Sequence, residues 1–487
     1  MIVQHENKLA LDIGFHICSH SSNTLATLGR GENADIFIDG SSISRIQCSF
    51  EVNYDSGVVM LYDRSNAQST QVFGDNVVPF EHGRPRRVVV SDEINTTLGM
   101  GGVGCNLVLF QFKWHQGFSQ TMDRIKASHG LMNHVQADHL RLAPTVDDVL
   151  SDVPSQRVTR IHTMGERQPK IKYVTIELIA TGAFGSVYKA LNLYTGSLMA
   201  VKTLPGSFSK MESSPQGSQQ YKALKREIET LSRLSHPNII DYIASQGWED
   251  GQVEIFMGLK EGNVETLIES GKANPLEIAD SIFQQMLEAL DFLDFNGLVH
   301  RDVKPPNILF TSRSDGQYLF QLTDFGLANS VISARTYAGS PLFMAPEMFH
   351  GGPQTSKVDM WSFYVTMLWI LNVNQFRDRC NSFKTIEETL EEISKTSTTE
   401  RMSGIREMAV LDPSLRASAA QMLVKHFKGQ GLVSPRNKIP PLEASSGRRL
   451  PLRLNVSEEN QRMPRSQHYG QQIGNRRLRS QSALREI

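Results

Sequence analysis

At 487 residues, 40% hydrophobic and 21% charged, the chain has ordinary globular composition and the length of two or three domains of roughly 150 residues each. A formal net charge of −1 provides no global field to attract a nucleic acid or a membrane surface. Cys18, Cys48, Cys105 and Cys380 are scattered without metal-ligand spacing, which argues against a disulfide framework and for reduced thiols in the cytosol or nucleus.

The first residues, "MIVQHENKLALDIG", have neither the charged start nor the apolar core of a secretory signal. From there to about residue 114 the chain reads as strands. "VVMLY" (58–62), "RRVVV" (86–90) and "NLVLFQFKW" (106–114) are β-branched or aromatic runs, separated by turn formers such as "YDSG" and "GMGGVG". Short strands at this spacing predict a β-sandwich. Within it, "TLGRGENADIFIDGSSISRIQCSF" (27–50) and "LYDRSNAQSTQVFG" (61–74) supply arginines and hydroxyls able to hold a phosphate by charge-assisted hydrogen bonds. Residues 1–114 resemble forkhead-associated (FHA) domains, which bind phosphothreonine peptides. The resemblance implies that Arg30 and Ser44 grip the phosphate, that Arg45 assists, and that Gln68 and Thr70 lie on the loop that reads the peptide. Two places depart from the family: Gln47 stands where it has a structural histidine, and Gln68-Ser69-Thr70 replaces Asn-Gly-Thr.

Periodicity fades over 115–172, apart from an amphipathic piece around "PTVDDVLSDV", and this stretch reads as a linker. Strands and helices then alternate over 173–428, enough for one large two-lobed α+β domain. In "IATGAFGSV" (179–187), Gly182 and Gly185 let backbone amides approach phosphate oxygens, because no Cβ intervenes. For that stretch alone, a plain hairpin of small residues is the alternative. "LMAVK" places Lys202 on the next strand among apolar neighbours. Glu227 in "LKREIETLSRLSHPNII" can pair with it from a helix whose apolar face carries Ile228, Leu231 and Leu234. Between them "PGSFSKMESSPQGSQQ" (205–220) reads as a mobile insertion. In "HRDVKPPN" (300–307), Asp302 accepts or orients the proton of an attacking hydroxyl, Lys304 neutralises a migrating phosphoryl group and Asn307 holds Mg²⁺. "LTDFGLA" adds Asp324 as a second metal ligand. Further on, "MWSFYVTMLWILNV" (360–373) is shorter than the roughly 20 residues of a membrane span and predicts a buried core helix.

In this order and spacing the motifs resemble the eukaryotic protein kinase domain. The likeness runs on through "AGSPLFMAPE", Asp359 in "VDMWSF", and Arg416 in "DPSLRAS", the position that in the family pairs with the glutamate equivalent to Glu347. It implies an active serine/threonine kinase using ATP and Mg²⁺. Ala180, Gly182, Gly185, Val187, Lys202 and the hinge residues Met257 and Leu259 would lie at the nucleotide. Ser340 matches the hydroxyl residue with which serine/threonine kinases contact the catalytic aspartate and lysine. Arg301 and Thr336 match the pair through which an activating phosphate orders the activation segment. Ala180 replaces the first glycine of the loop, and Pro306 precedes Asn307. A pseudokinase scaffold is therefore the alternative, although neither change removes a group the mechanism demands.

Residues 429–487 are basic, poor in aromatics and rich in Pro, Ser, Gln and Arg, and read as a disordered tail. The Arg clusters "SSGRRLPLR" and "NRRLRSQSALR" lack the aromatics that stack bases, so nucleic acid is not expected. An FHA module ahead of a serine/threonine kinase resembles the DNA-damage and meiotic checkpoint kinases, CAMK-like and fungal in type. That architecture implies a phosphothreonine-bearing adaptor, protein substrates, self-association, no membrane, and a place of action in the nucleus or otherwise the cytoplasm.

Overall fold

The computed structural model describes residues 2–5, 8–14, 17, 23–115, 120, 170–182, 185–204, 221–222, 225–226, 228–229, 232, 234–249, 251–324, 341–349 and 351–442. The chain divides into two compact units, Met1–Glu261 and Gly262–Ile487. Most of the expected linker at 115–172 and all of the expected insertion at 205–220 lie outside the described residues.

The first unit opens with an antiparallel pair, β1 (Ile2–His5) and β2 (Lys8–Leu11). A sandwich follows, made of β3 (Thr24–Gly29), β4 (Ile36–Phe37), β5 (Cys48–Asn53), β6 (Val58–Asp63), β7 (Thr70–Phe73), β8 (Arg87–Val90), β9 (Thr97–Met100) and β10 (Val108–Gln111). One sheet has the order β4-β3-β5-β6-β8 and the other β10-β9-β7. The three β-branched runs read from the sequence are thus β6, β8 and β10, and "YDSG" makes the β5–β6 turn with Gly57 in the left-handed region at φ +75°. Leu28, Phe50, Leu61, Val88 and Leu98 fill the space between the sheets. Cys48 and Cys105 are free thiols, and burial pushes both up from the usual range.

The same unit holds a five-stranded antiparallel sheet of β11 (Tyr173–Gly182), β12 (Gly185–Asn192), β13 (Leu198–Thr203), β14 (Tyr242–Gln246) and β15 (Glu254–Gly258), in the order β11-β12-β13-β15-β14. The second unit pairs a small sheet, β16 (Gly262–Asn263), β17 (Ile308–Ser312) and β18 (Tyr318–Leu322), with helices α1 (Val264–Glu269), α2 (Pro275–Phe295), α3 (Lys357–Ile370), α4 (Ile386–Ser397) and α5 (Ala419–Phe427). Local chemistry sets the helix starts. Asn263 and Thr266 form a capping box for α1, Asn274 caps α2 ahead of Pro275, and Ser418 with Gln421 boxes α5. The long apolar run becomes α3, buried over the whole of 358–370, as a central core helix requires.

Part of the stretch expected as a disordered tail is ordered. Residues 429–442 are placed against α2 and α5 instead of being disordered, while 443–487 lie outside the described residues. The reason is a buried carboxylate that composition cannot reveal. Asp291 of α2, 0% exposed, accepts the Val433 N–H at 2.7 Å, the Ser434 N–H at 3.0 Å and the Ser434 hydroxyl at 2.6 Å. A buried charge needs such partners, so the segment is latched by it. Asp291→Ala should cost about 1–3 kcal/mol in denaturant unfolding and should speed amide exchange across 429–442. Unchanged exchange there would show that the carboxylate does not hold the segment.

Candidate functional site

In the second unit the catalytic loop hangs from one side chain. Asp359, 2% exposed at the start of α3, accepts the His300 N–H at 2.8 Å and the Arg301 N–H at 2.6 Å. Burial pushes its carboxyl up to about 7, against the pull of the two amide bonds and of the Arg301 charge. Those bonds hold Arg301 at φ +68°, a left-handed conformation that costs a non-glycine residue energy. Burial lowers His300 to about 4, so its ring is neutral at physiological pH. Its Nδ1 accepts the Asp302 N–H at 3.2 Å, and Nε2 can then donate to the Thr323 carbonyl at 2.8 Å.

Asp302 emerges from this frame with both of its side-chain partners on one oxygen. Lys304 Nζ lies 2.8 Å from Oδ2 and Asn307 Nδ2 donates to it at 2.9 Å. Among the described residues, Oδ1 has no partner and is open to accept a hydrogen bond. Asn307 also donates to the Asp302 carbonyl at 2.8 Å. Its Nδ2 is therefore committed, and its Oδ1, a hard oxygen ligand, is the end left for a cation. Pro305–Asn307 form a 3-10 turn closed by the Asn307 N–H on the Lys304 carbonyl. Pro306 sits in the first turn, where an N–H would have no helical partner in any case. Asp324 follows β18 at φ +59°. Arg416 clamps Glu347 through both oxygens, at 2.7 and 2.9 Å, the pairing expected of that position.

In the first unit, Lys202 lies on β13 opposite Val187 of β12 and Ile255 of β15, and is 5% exposed. Ala180 and Val187 are register partners in the β11–β12 hairpin, and Gly182 pairs with Gly185 at its end. The two glycines are not equivalent. A Cβ on Gly182 would meet open space, whereas one on Gly185, at φ +119°, would lie 1.9 Å from the Thr203 carbonyl oxygen. Met257 of β15 and Leu259 just beyond it are half-buried. Glu227, Thr336 and Ser340 lie outside the described residues.

Three loops meet at one end of the sandwich. The Arg30 N–H donates to Ser44 O at 3.0 Å, its Nε to Ile43 O at 2.6 Å, and the Gly31 N–H to Arg45 O at 2.9 Å. Arg30 and Arg45 are exposed and Ser44 half-buried. Gln47, 0% exposed, joins this pair of loops to the third. Its Oε1 accepts the Ser44 N–H at 2.8 Å, while Nε2 donates to Ser69 Oγ at 3.0 Å and Thr70 Oγ1 at 2.8 Å. Thr70, expected on the peptide-reading loop, is wholly buried because it begins β7 and spends its hydroxyl on Gln47. Gln68 alone of the three faces solvent, at φ +51°. Its carbonyl and that of Thr70 are held by Arg86, whose Nε also bonds the buried Asp63 carboxylate at 2.5 Å.

The sequence pattern of the protein kinase domain matches residues 173–428, more than half of the chain. The chain belongs to the protein kinase family. Ahead of its kinase domain it carries an FHA domain, matched over residues 26–95. Mitogen-activated protein kinase kinase kinase 3 of Arabidopsis thaliana is 30% identical over 279 residues, which are 54% of this chain and 41% of that protein. Serine/threonine-protein kinase TIO of Arabidopsis thaliana is 35% identical over 210 residues, 42% of this chain and 15% of that one. Cell division control protein 7 of Schizosaccharomyces pombe is 29% identical over 256 residues, 51% and 23% respectively. The kinase thus spans less than half the length of each of these relatives. Among solved structures, Rad53 1-466 in complex with AMP-PNP resembles it with a TM-score of 0.48 and 20% identity, over 86% of this chain and 96% of that one.

The Asp63–Arg86 anchor was not legible in advance, because "RRVVV" reads only as a strand. Gln47 was legible as a departure but not as a working part. Gln47→Ala should lower the unfolding free energy of the first unit by about 1–3 kcal/mol in denaturant titration, since three bonded groups lose their partner inside the protein. A loss within error would mean that water replaces the amide without cost.

Proposed function

We propose that this kinase transfers phosphate from ATP to serine or threonine in proteins and is recruited through phosphothreonine by its FHA domain. The observation that carries the enzymatic reading is the Asp302–Lys304–Asn307 cluster, held by His300 and Asp359 with one aspartate oxygen left for a hydroxyl. The residues also suit the nucleotide and its metal. Asn307 presents its amide oxygen and Asp324 adds a carboxylate, oxygen donors of the kind Mg²⁺ takes, and Gly182 in the glycine hairpin leaves its backbone open to a phosphate because a Cβ there would meet only open space. Bound there, Mg²⁺ would neutralise phosphate charge during transfer. For the chain's own part, Asp302 orients the attacking hydroxyl and takes its proton, and Lys304 offsets charge on the migrating group. Lys202, carried on a buried strand, would hold the nucleotide phosphates.

Recruitment is supported by the stitched loops around Ser44, with exposed Arg30 and Arg45, and by Gln47, which does the bridging work there with an amide. The order of the two modules supports a checkpoint-type role in the nucleus, with a phosphorylated adaptor bringing copies together and raising their local concentration. Thr336 is the proposed activating site.

Two measurements test this reading. Asp302→Ala should lower phosphate transfer from [γ-³²P]ATP to a protein substrate about 10²–10⁴-fold with the fold intact; equal labelling by both proteins would refute catalysis. Arg30→Ala should weaken binding of a phosphothreonine peptide at least ~10-fold, the worth of one charged hydrogen bond. Binding that ignores either the phosphate or the substitution would leave the FHA domain a docking sandwich only.

A further inference from the structure

β6 and β8 are buried in a way that a two-layer sandwich does not explain. Side chains alternate across a strand, so a strand with one face on the partner sheet and one in water buries every second residue. Yet Val58, Val59, Met60 and Leu61 of β6 are buried in succession, as are Val88, Val89 and Val90 of β8. The cover on the outer face comes from the kinase domain, at the turn between β12 and β13. Leu191, Leu193 and Tyr194 belong to the same buried cluster as these valines, and Leu198 packs against it.

Backbone and polar contacts complete the joint. The Val89 N–H donates to the Leu193 carbonyl at 2.8 Å, so the edge strand of the sandwich is capped by the kinase turn. Gly196 lies in the left-handed region at φ +67°, and a Cβ there would come within 2.6 Å of Met60 Sδ and 3.2 Å of Val58 Cγ2. On the rim, the Arg84 guanidinium stacks 4.1 Å from the centre of the Tyr194 ring and bonds Glu81 at 2.7 Å and the Lys170 carbonyl at 2.5 Å. The Tyr194 hydroxyl lies 3.5 Å from the Pro79 carbonyl, and burial beside Glu81 keeps the phenol neutral.

We infer that the β6–β8 face of the FHA domain is a docking surface for this chain's own β12–β13 turn, and that the FHA domain and the nucleotide-binding sheet therefore unfold as one cooperative unit. Each end of the joint adjoins a site. Arg86, one residue before β8, holds the Gln68 and Thr70 carbonyls of the third phosphopeptide loop, and β13, leaving the turn, carries Lys202. A ligand that binds only the folded form stabilises everything that unfolds with its site. Nucleotide should therefore protect the FHA domain, and phosphopeptide the nucleotide sheet, by the reciprocity of linked equilibria. The phosphopeptide half rests on the recruitment reading above; the other half does not.

The test is amide exchange by mass spectrometry, with denaturant unfolding, on the full chain and on Tyr194→Ala and Arg84→Ala. Without ligand, β5, β6 and β8 should lose protection in the same transition as β11–β13 in the wild type, and in a separate one in Tyr194→Ala. AMP-PNP with Mg²⁺ at about 100 times its Kd should slow the most protected FHA amides about 100-fold in the wild type and leave them unchanged in Tyr194→Ala. Arg84→Ala, which removes only the guanidinium stack on Tyr194 and the bonds to Glu81 and the Lys170 carbonyl, should weaken this coupling, and it decides the matter if Tyr194→Ala does not fold. Two separate transitions in the wild type, or FHA amides indifferent to bound AMP-PNP, overturn the inference. If AMP-PNP does not bind, the ligand-free transitions decide. If a phosphothreonine peptide fails to bind while AMP-PNP protects the FHA domain, the joint stands and the recruitment reading falls.

Discussion

The catalytic half of this kinase depends on the Asp359 carboxylate and the two amides that it holds. Through them the loop from His300 to Asn307 is referenced to α3, the most completely buried helix of its unit, so the position of Asp302 follows from core packing. The cost is visible in the backbone, where Arg301 takes a left-handed conformation that no glycine relieves. Such strain persists only where surrounding bonds over-determine it, and Asp359 below with Asn307 beside supply those bonds. Thr366, about two turns of α3 beyond Asp359, adds a further tie by donating to the Val303 carbonyl at 3.2 Å.

Gln47 and the altered "QST" loop make sense as a pair. A neutral histidine offers one donor and one acceptor, whereas a primary amide offers two donors and an acceptor oxygen. Gln47 uses all three, one toward Ser44 and two toward the hydroxyls of Ser69 and Thr70. An Asn-Gly-Thr loop would have no hydroxyl at position 69 to receive the second donor. The two departures from the FHA pattern therefore answer one another, and the phosphate loop stays bridged to the third loop.

What could be read from the sequence was whatever local chemistry dictates. The glycine hairpin, the catalytic loop, the buried helix at 360–373 and the strands around 58–62 and 86–90 all announce themselves in windows of a few residues. The partners of buried polar groups do not. Nothing near Asp291 in the chain says that its donors lie at 433 and 434, and nothing near Arg86 names Asp63. The Tyr194 joint was half legible. An unbroken run such as "VVMLY" signals a strand covered on both faces, but the identity of the second cover emerges only in three dimensions.

Arg301 joins a strained, fixed backbone to a buried guanidinium nitrogen. Its backbone is fixed by Asp359, and among the described residues its buried Nε has no hydrogen-bond partner. A guanidinium so placed costs free energy that a nearby carboxylate offsets only in part, because the Asp359 oxygens already accept two amides. A phosphate brings about −1.5 to −2 charges and three acceptor oxygens, matched to the planar fork of an arginine. A modified hydroxyl in the activation segment would satisfy that demand without moving the loop that carries Asp302. Such a phosphate would meet Arg301 on a backbone whose geometry is already set by α3.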